Sequence, residues 1–205
     1  MTGRFITLEG SEGVGKSTNT NFVADLIKAA GHDVIVTREP GGTPLAERLR
    51  EIALHHDDEP VPAMAELLIM FAARSLHLEN LIKPAIAAGR WVVCDRFTDA
   101  TYAYQGGGRG QDAERISALE RWVQADTQPD LTILLDADPA IGMSRAAKRS
   151  AADRFERERV EFFQRVRLTY LARADRYKSR FRVIDAGQPL ERVQADIIKV
   201  LKKEL

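Results

Sequence analysis

The stretch that decides the fold is Gly10-Ser11-Glu12-Gly13-Val14-Gly15-Lys16-Ser17. Its spacing is that of the phosphate-binding motif G-x-x-x-x-G-K-[ST], in which backbone N–H groups and a helix N-terminus hold phosphate oxygens. The apolar run at 5–8 predicts a strand before the motif, and apolar residues at helical spacing over 18–30 predict a helix after it. An ordinary glycine-rich turn needs neither element, so we expect the loop to bind the polyphosphate of a nucleoside triphosphate.

Two side chains of this loop are expected to bind the phosphates and the metal ion. We expect Lys16 to reach the β- and γ-phosphates, and the Ser17 hydroxyl to ligate Mg²⁺. The other residues expected to contact the nucleotide, ATP, follow from their place in the loop: Gly10, Ser11, Glu12, Gly13, Val14, Gly15 and Thr18.

Five short apolar runs alternate with longer segments of helical pattern. The runs are 5–8, 34–37, 91–94, 131–135 and 181–184, and their nearly continuous apolar character is typical of strands buried on both faces of a parallel sheet. Helices are predicted over 18–30, 64–88 (broken or kinked by Pro84), 112–126, 139–149, 156–178 and 189–203, with a loop over 55–63. The alternation predicts an α/β fold, a doubly wound five-stranded parallel sheet with helices on both faces.

The bulk composition limits the classes of partner. A chain of 205 residues is long enough for one domain spanning 1–205, and its 30 basic and 30 acidic residues give no reason to expect nucleic-acid or membrane-surface binding. No apolar run approaches the roughly 20 residues of a membrane span, so we expect a cytoplasmic protein. Cys94 alone excludes an internal disulfide. The histidines lack neighbouring metal ligands and receive no assigned role: His32, His55, His56 and His77.

Polar residues follow the predicted strand at 91–94. Asp95 would end that strand beside the phosphate loop, where a carboxylate linked to Mg²⁺ belongs, and Arg96 would project into the same crevice to bind a phosphate. A purely structural Asp–Arg ion pair is the alternative. The segment 98–110 then brings hydroxyls, an amide, aromatic rings and glycines together, which favours a nucleobase or sugar pocket over an incidental glycine-rich loop.

The phosphate loop alone does not distinguish a kinase from a GTPase, a motor ATPase or a transporter subunit. The chain lacks the N-K-x-D and D-x-x-G motifs of GTPases, and it is short for a motor or transporter domain. We therefore favour a kinase of a small molecule. Another nucleotide or deoxynucleoside kinase, or a binding module that uses ATP to change partner, remains an alternative.

Several motifs in chain order resemble those of the bacterial thymidylate kinase family. They are Leu8-Glu9-Gly10-Ser11-Glu12-Gly13, Thr37-Arg38-Glu39-Pro40-Gly41-Gly42-Thr43, Phe71-Ala72-Ala73-Arg74, Asp95-Arg96-Phe97, Ala103-Tyr104-Gln105-Gly106 and Asp153-Arg154-Phe155-Glu156. The resemblance covers nearly the whole chain. It implies ATP-dependent phosphorylation of dTMP to dTDP and a homodimer, for which the Ala-, Leu- and Met-rich stretch 64–88 could supply a face, although burial within one chain explains that stretch equally well.

The resemblance also implies roles for individual residues. Glu12 would lie at the dTMP sugar and phosphate, Arg74 at a thymine carbonyl, and Arg96 at the dTMP phosphate with Asp95 near Mg²⁺. Tyr104 would crowd the sugar 2′ position and so disfavour a ribose. The further residues expected to contact dTMP are Glu39, Pro40, Thr101 and Gln105.

The sequence departs from the family at the position that stacks on thymine. Where relatives have Phe four residues before the arginine, this chain has Met70, followed by Phe71. On a helix, positions 70 and 74 share a face, whereas position 71 points about 100° away. We therefore favour Met70 as the base contact and keep Phe71 as the alternative; core packing would account for both.

An arginine-rich segment over about 143–159 resembles the lid of these kinases. The variable positions of the phosphate loop hold no arginine, so the charge that neutralises the transferring phosphoryl group would come from the lid. Arg154 is the first candidate for this catalytic role, followed by Arg149 and Arg145 as ATP contacts. A solvated helix face is the alternative. A loop at 185–189 would pack against adenine.

Overall fold

The computed structural model describes residues 3–55, 59–146, 155 and 158–205. Five parallel strands form one sheet in the order β2-β3-β1-β4-β5, which confirms the predicted topology. The strands are β1 (Phe5–Glu9), β2 (Val34–Arg38), β3 (Trp91–Asp95), β4 (Leu131–Asp136) and β5 (Phe181–Asp185).

Each strand continues one residue beyond its predicted carboxyl end. The additional residues are all polar: Glu9, Arg38, Asp95, Asp136 and Asp185. The ladder continues because backbone pairing does not depend on side-chain polarity; Arg38 lies beside Asp95, and Asp136 beside Asp185. One edge of the sheet therefore carries a row of ionisable side chains, at the end where ligands bind in open parallel sheets.

Nine α-helices lie in the described residues. They are α1 (Lys16–Ala29), α2 (Pro44–His55), α3 (Ala63–His77), α4 (Lys83–Ala87), α5 (Thr98–Thr101), α6 (Ala113–Gln124), α7 (Pro139–Ala146), α8 (Val160–Arg176) and α9 (Leu190–Leu201). A π-helical turn at Leu78–Ile82 joins α3 to α4 just before Pro84, the position at which the sequence predicts a break or kink. No helix of the described residues is long and apolar enough to cross a membrane.

Both faces of the sheet are covered by helices. Ile6 and Leu8 of β1 pack into a cluster with residues of α1 and α9, including Ile27 and Ile197. On the opposite face, Phe5 packs with Cys94 and with residues of the segment between α3 and α4. These side chains are buried, and each fully buried aliphatic or aromatic side chain stabilises the fold by about 1.5–3 kcal/mol.

Two helical segments were not predicted. Helix α2 lies in a stretch without a helix prediction, and the segment 98–110 forms α5 followed by a π-helical turn at Tyr102–Gly108. The glycines of that turn allow close packing on α8, because a Cβ at Gly107 would lie 2.1 Å from Thr169 Oγ1 and one at Gly108 2.4 Å from the Phe162 ring. The glycine-rich composition thus serves helix packing.

Candidate active site

A cavity of about 250 Å³ opens at the carboxyl ends of β1, β2 and β3. It lies between the phosphate loop and helices α2, α3 and α5. Its walls combine charged, polar and apolar side chains: Glu12, Gly13, Gly15, Lys16, Ser17, Arg38, Glu39, Pro40, Arg50, Leu54, Met70, Arg74, Asp95, Arg96, Phe97, Ala100, Thr101, Tyr104, Gln105 and Phe155.

The phosphate loop forms the floor of this cavity. Gly13 has a positive φ of 71°, and a Cβ there would lie 1.8 Å from the carbonyl oxygen of Gly142, so only glycine fits between the loop and α7. Lys16 is buried and donates from Nζ to the carbonyl oxygen of Ser11 at 2.7 Å. Burial, and next the charge of Arg96, lower the pKa of Lys16. The loop therefore holds its cation in place before any phosphate is bound.

Ser17 and Asp95 come together beside the loop, as the sequence predicts. The Ser17 hydroxyl donates to Asp95 Oδ2 at 3.4 Å, while Asp95 Oδ1 is buried without a hydrogen-bond partner in the described part of the chain. A buried, unsatisfied carboxylate oxygen beside a hydroxyl fits a hard cation. Mg²⁺ suits such a pair, since it is held in phosphoryl-transfer sites by one or two protein oxygens together with substrate phosphates.

Arg96 connects the end of β3 to the phosphate loop. Its Nη2 donates to Glu12 Oε1 at 2.6 Å and to the Tyr104 hydroxyl at 2.8 Å, and its Nη1 donates to the carbonyl oxygen of Gly10 at 2.8 Å. Burial raises the pKa of Glu12, but the charges of Arg96 and Lys16 outweigh it and lower the pKa to about 2. Glu12 is therefore ionised at neutral pH and holds the guanidinium at the cavity.

The backbone of Arg96 is strained, with φ 70°, a conformation that non-glycine residues rarely adopt. Glu9, fully buried at the end of β1, stabilises the turn because its Oε1 accepts from the Phe97 N–H at 2.7 Å. Its Oε2 accepts from the Tyr170 hydroxyl at 2.8 Å, and that hydroxyl accepts from Arg96 Nη1 at 3.2 Å. Sequence analysis assigned neither Glu9 nor Tyr170 to the site.

Glu9 gives the fold a pH dependence of defined sign. Burial, and next the charge of Asp99, raise the pKa of Glu9 from 4.5 to about 8. The folded state therefore binds one more proton than the unfolded state between these pH values, so this group lowers the unfolding free energy by up to about 1.4 kcal/mol per pH unit as the pH rises. Glu9→Gln removes the titrating group, and urea unfolding from pH 5 to pH 9 should show a flatter decline than in the wild type.

The exposed residue Glu114 offers the matched control for this measurement. Glu114→Gln changes the same charge on the surface of α6 and should leave the slope of the wild type unaltered. Equal slopes for wild type and Glu9→Gln would contradict the raised pKa of Glu9.

A second arginine lies at the opposite wall, on α3. The Arg74 guanidinium donates from Nε to Glu39 Oε2 at 2.7 Å and from Nη2 to Thr101 Oγ1 at 2.9 Å. It also lies over the rings of Phe71 and Phe97, at 4.9 and 5.1 Å from the centroids. Its Nη1 is buried without a partner among the described residues, although the residue lines the cavity. Because a buried donor without a partner costs about 1–3 kcal/mol, this nitrogen is the candidate donor to a ligand bound in the cavity.

The two alternative base contacts occupy different places. Met70 lines the cavity beside Arg74. Phe71 is not among the described residues that line the cavity, and it packs with Leu67 and Ile116. The helical geometry that favours Met70 therefore agrees with the structure. Gln105 also lines the cavity and donates to Glu66 Oε1 at 2.8 Å, so Thr101 and Gln105 form a polar wall next to Met70.

Most of the residues predicted to contact ATP or dTMP line the cavity, but some lie elsewhere. Four residues of the loop and of helix α1 are not among the described residues that line the cavity: Gly10, Ser11, Val14 and Thr18. Arg145 lies away from the cavity and donates to the carbonyl oxygens of Ala186 and Gly187 at 2.8 and 3.4 Å, within the loop predicted to meet adenine. Arg149 and Arg154 lie outside the described residues.

Sequence analysis missed several lining residues: Arg38, Arg50, Leu54, Phe97, Ala100 and Phe155. Arg50 and Leu54 lie on α2, where Pro44 at the helix start and the buried Ala46 and Ala53 are the signals that could have predicted the helix. Arg50 donates to the carbonyl oxygen of Pro40 at 2.9 Å, which places a further cation beside Arg96 and Lys16.

Comparison with known proteins identifies the family of the chain. The family model of thymidylate kinase matches residues 8–197. The chain is 59% identical to the thymidylate kinase of Teredinibacter turnerae and 57% identical to that of Ectopseudomonas mendocina, covering 98% of itself in both and 98% and 96% of those proteins. The crystal structure of thymidylate kinase from Ehrlichia chaffeensis superposes with a TM-score of 0.81 at 33% identity, over 98% of this chain and all of that one. The chain belongs to the thymidylate kinase family.

Proposed function

We propose that this chain transfers the γ-phosphoryl group of ATP to dTMP, forming dTDP and ADP. One observation carries the proposal: the same cavity is lined by the phosphate loop, by Arg96 and by Arg74, whose Nη1 has no partner among the described residues. Such a cavity accepts a nucleoside monophosphate with its phosphate at the loop and its base at α3. Membership of the thymidylate kinase family makes thymine the base.

The donor side consists of the phosphate loop and the residues beside it. Backbone N–H groups and Lys16 hold the ATP phosphates, and Ser17 with Asp95 hold Mg²⁺. When bound, Mg²⁺ neutralises part of the charge on the phosphates. Arg145 orders the loop at 186–187 toward the adenine, supported by its two hydrogen bonds to that loop.

The acceptor side binds dTMP along the cavity. Arg96 binds the phosphate, and Glu12 and Tyr104 hold Arg96 and approach the sugar. Arg74 donates to a thymine carbonyl. The remaining walls are supplied by residues around the base and sugar: Glu39, Pro40, Met70, Thr101 and Gln105.

Transfer occurs in line between the two phosphates. The acceptor is an ionised phosphate oxygen, so no general base has to remove a proton. Catalysis then rests on positioning and on charge neutralisation by Lys16, Arg96 and an arginine of the lid, of which Arg154 is our first candidate and Arg149 the second. Closure of the lid would exclude water and so protect ATP from hydrolysis.

The test is ADP formation from ATP with a panel of acceptors: dTMP, dUMP, thymidine, dCMP and dGMP. We expect fast turnover with dTMP and slower turnover with the others. Preference for another acceptor would replace dTMP with that nucleotide. Slow ATP hydrolysis that no acceptor changes would instead indicate a binding module that uses ATP to change partner, and would overturn the proposal.

We further propose that the protein is a homodimer formed through α3. The outer face of this helix carries apolar residues at helical spacing, of which Leu68 is half-exposed and Ala72 exposed. Apolar residues in such a row favour contact with a second copy. Light scattering should give twice the mass of the chain, and a monomer mass at micromolar concentration would overturn this proposal.

A further inference from the structure

His77 is fully buried at the end of α3 and makes two side-chain contacts. Its Nδ1 lies 3.0 Å from Glu39 Oε1, and its Nε2 lies 2.7 Å from Thr37 Oγ1. Thr37 and Glu39 flank Arg38 at the carboxyl end of β2. The side chain therefore connects helix α3 to the start of the segment that lines the cavity at Glu39 and Pro40.

The hydrogen-bond partner of Nδ1 determines which nitrogen of the His77 ring carries the proton. A carboxylate oxygen only accepts hydrogen bonds, so Nδ1 carries the proton and donates to Glu39. In the neutral ring Nε2 then accepts from the Thr37 hydroxyl. Gly42 covers this second contact: a Cβ at that position would lie 2.4 Å from His77 Nε2 and 2.6 Å from Thr37 Oγ1. The segment that contains Gly42 therefore packs directly against the imidazole of His77.

His77 and Arg74 each contact one oxygen of the Glu39 carboxylate. They lie three residues apart, on one face of α3, and they contact different oxygens, Oε1 and Oε2. Because Oε1 is occupied by His77, Glu39 engages Arg74 through Nε only. The guanidinium keeps Nη2 for Thr101, and its Nη1 is buried without a partner in the part of the chain that the structure describes.

We propose that His77 is a positioning residue for base recognition, which rests on the proposed function of the cavity. By holding Oε1 of Glu39, it keeps that carboxylate on Nε of Arg74 and leaves Nη2 to Thr101. The guanidinium is thereby fixed in one orientation, in which Nη1 serves the base of the acceptor nucleotide. His77 does not touch the substrate. Its effect on binding passes through Glu39 and Arg74.

Three variants test this role. His77→Leu removes both contacts, His77→Asn keeps an amide donor within reach of Glu39, and Thr37→Val removes only the partner of Nε2. We expect His77→Leu to raise the KM for dTMP by about tenfold or more, the size expected for losing a hydrogen bond to a charged group. The KM for ATP should stay within about twofold, because the phosphate loop is untouched. His77→Asn should recover most of the dTMP affinity.

Calorimetric binding of thymidine, which has no phosphate, isolates the base end of the cavity. The loss in His77→Leu should be of similar size for thymidine and for dTMP, since the phosphate contributes equally in both proteins. The matched control is His32→Leu, because His32 stacks on Trp91 away from the cavity. If His77→Leu fails to fold, Thr37→Val should show the same selective change at smaller size.

The outcomes separate this proposal from the proposed function. If the wild type neither binds nor phosphorylates dTMP, the function itself is wrong. If the wild type phosphorylates dTMP while the folded variants His77→Leu and Thr37→Val bind it normally and differ only in melting temperature, His77 is merely structural. Equal increases in the KM values for ATP and dTMP, or no recovery in His77→Asn, would also overturn the positioning role.

Discussion

Lys16→Ala is expected to lower kcat by about a hundred- to a thousandfold, the loss typical of removing one preorganised group that stabilises transition-state charge. Lys16 is the cation of the phosphate loop, and its Nζ is already held by the carbonyl oxygen of Ser11 at 2.7 Å. Alanine leaves developing charge on the transferring group without this partner. Steady-state kinetics with saturating ATP and dTMP measure the effect.

The fold should survive this substitution. Lys16 is buried with its charge partly uncompensated, and burial lowers its pKa, so the ammonium makes no large contribution to stability. We expect the melting temperature of Lys16→Ala to stay near that of the wild type. Lys28→Ala on the exposed face of α1 provides the control and should keep full activity. A kcat within threefold of the wild type would remove Lys16 from the mechanism.

Arg96→Ala is expected to reduce kcat/KM for dTMP by about a thousandfold or more, because it removes the guanidinium charge that would hold the dTMP phosphate at the loop. The KM for ATP should change far less. Arg96→Lys separates charge from geometry: lysine keeps the charge but not the planar pair of donors, so its activity should fall between the other two. Kinetics with varied dTMP at saturating ATP measure the three proteins.

Arg96→Ala also tests the electrostatic interaction between Arg96 and Glu12. Arg96 lowers the pKa of Glu12 at 2.6 Å, so its removal should raise that pKa from about 2. Backbone strain affects the wild type, Arg96→Ala and Arg96→Lys equally, because none of the three residues is a glycine and each is strained at φ 70°. Arg121→Ala, on the exposed face of α6, is the control. Near-normal kcat/KM in folded Arg96→Ala would exclude Arg96 as the phosphate ligand.

The phosphate loop and the sheet follow from local sequence. Eight residues with fixed glycine and lysine positions between a strand and a helix suffice to predict the loop, because the backbone geometry that holds phosphate is itself local. Apolar runs predict the five strands, but the expected burial on both faces holds only for the inner strands β1, β3 and β4. The strands β2 and β5 lie at the edges of the sheet and expose residues such as Val36 and Val183. The predicted runs stop one residue short because the last residue of each strand is polar, whereas its backbone still pairs with the neighbouring strand.

Other parts of the site depend on contacts between residues that are distant in sequence. Helix α2 carries Arg50 into the cavity, and this placement follows from the packing of α2 on α3, which the sequence of α2 alone does not show. His77 has no metal-ligating neighbours in sequence, so sequence analysis gave it no role. Its partners Glu39 and Thr37 lie 38 and 40 residues away, at the carboxyl end of β2.

The sequence by itself determined that a phosphate loop stands at the start of a parallel α/β sheet, and that Asp95 and Arg96 follow a buried strand. Only the tertiary structure decided what the loop faces: Glu12 bonded to Arg96, Ser17 bonded to Asp95, and Arg74 held by Glu39 with one nitrogen that no described residue contacts. The physical reason is the range of the interactions. Backbone conformation is set within a few residues, whereas the orientation of a buried charge is set by whichever groups the fold brings within about 3 Å.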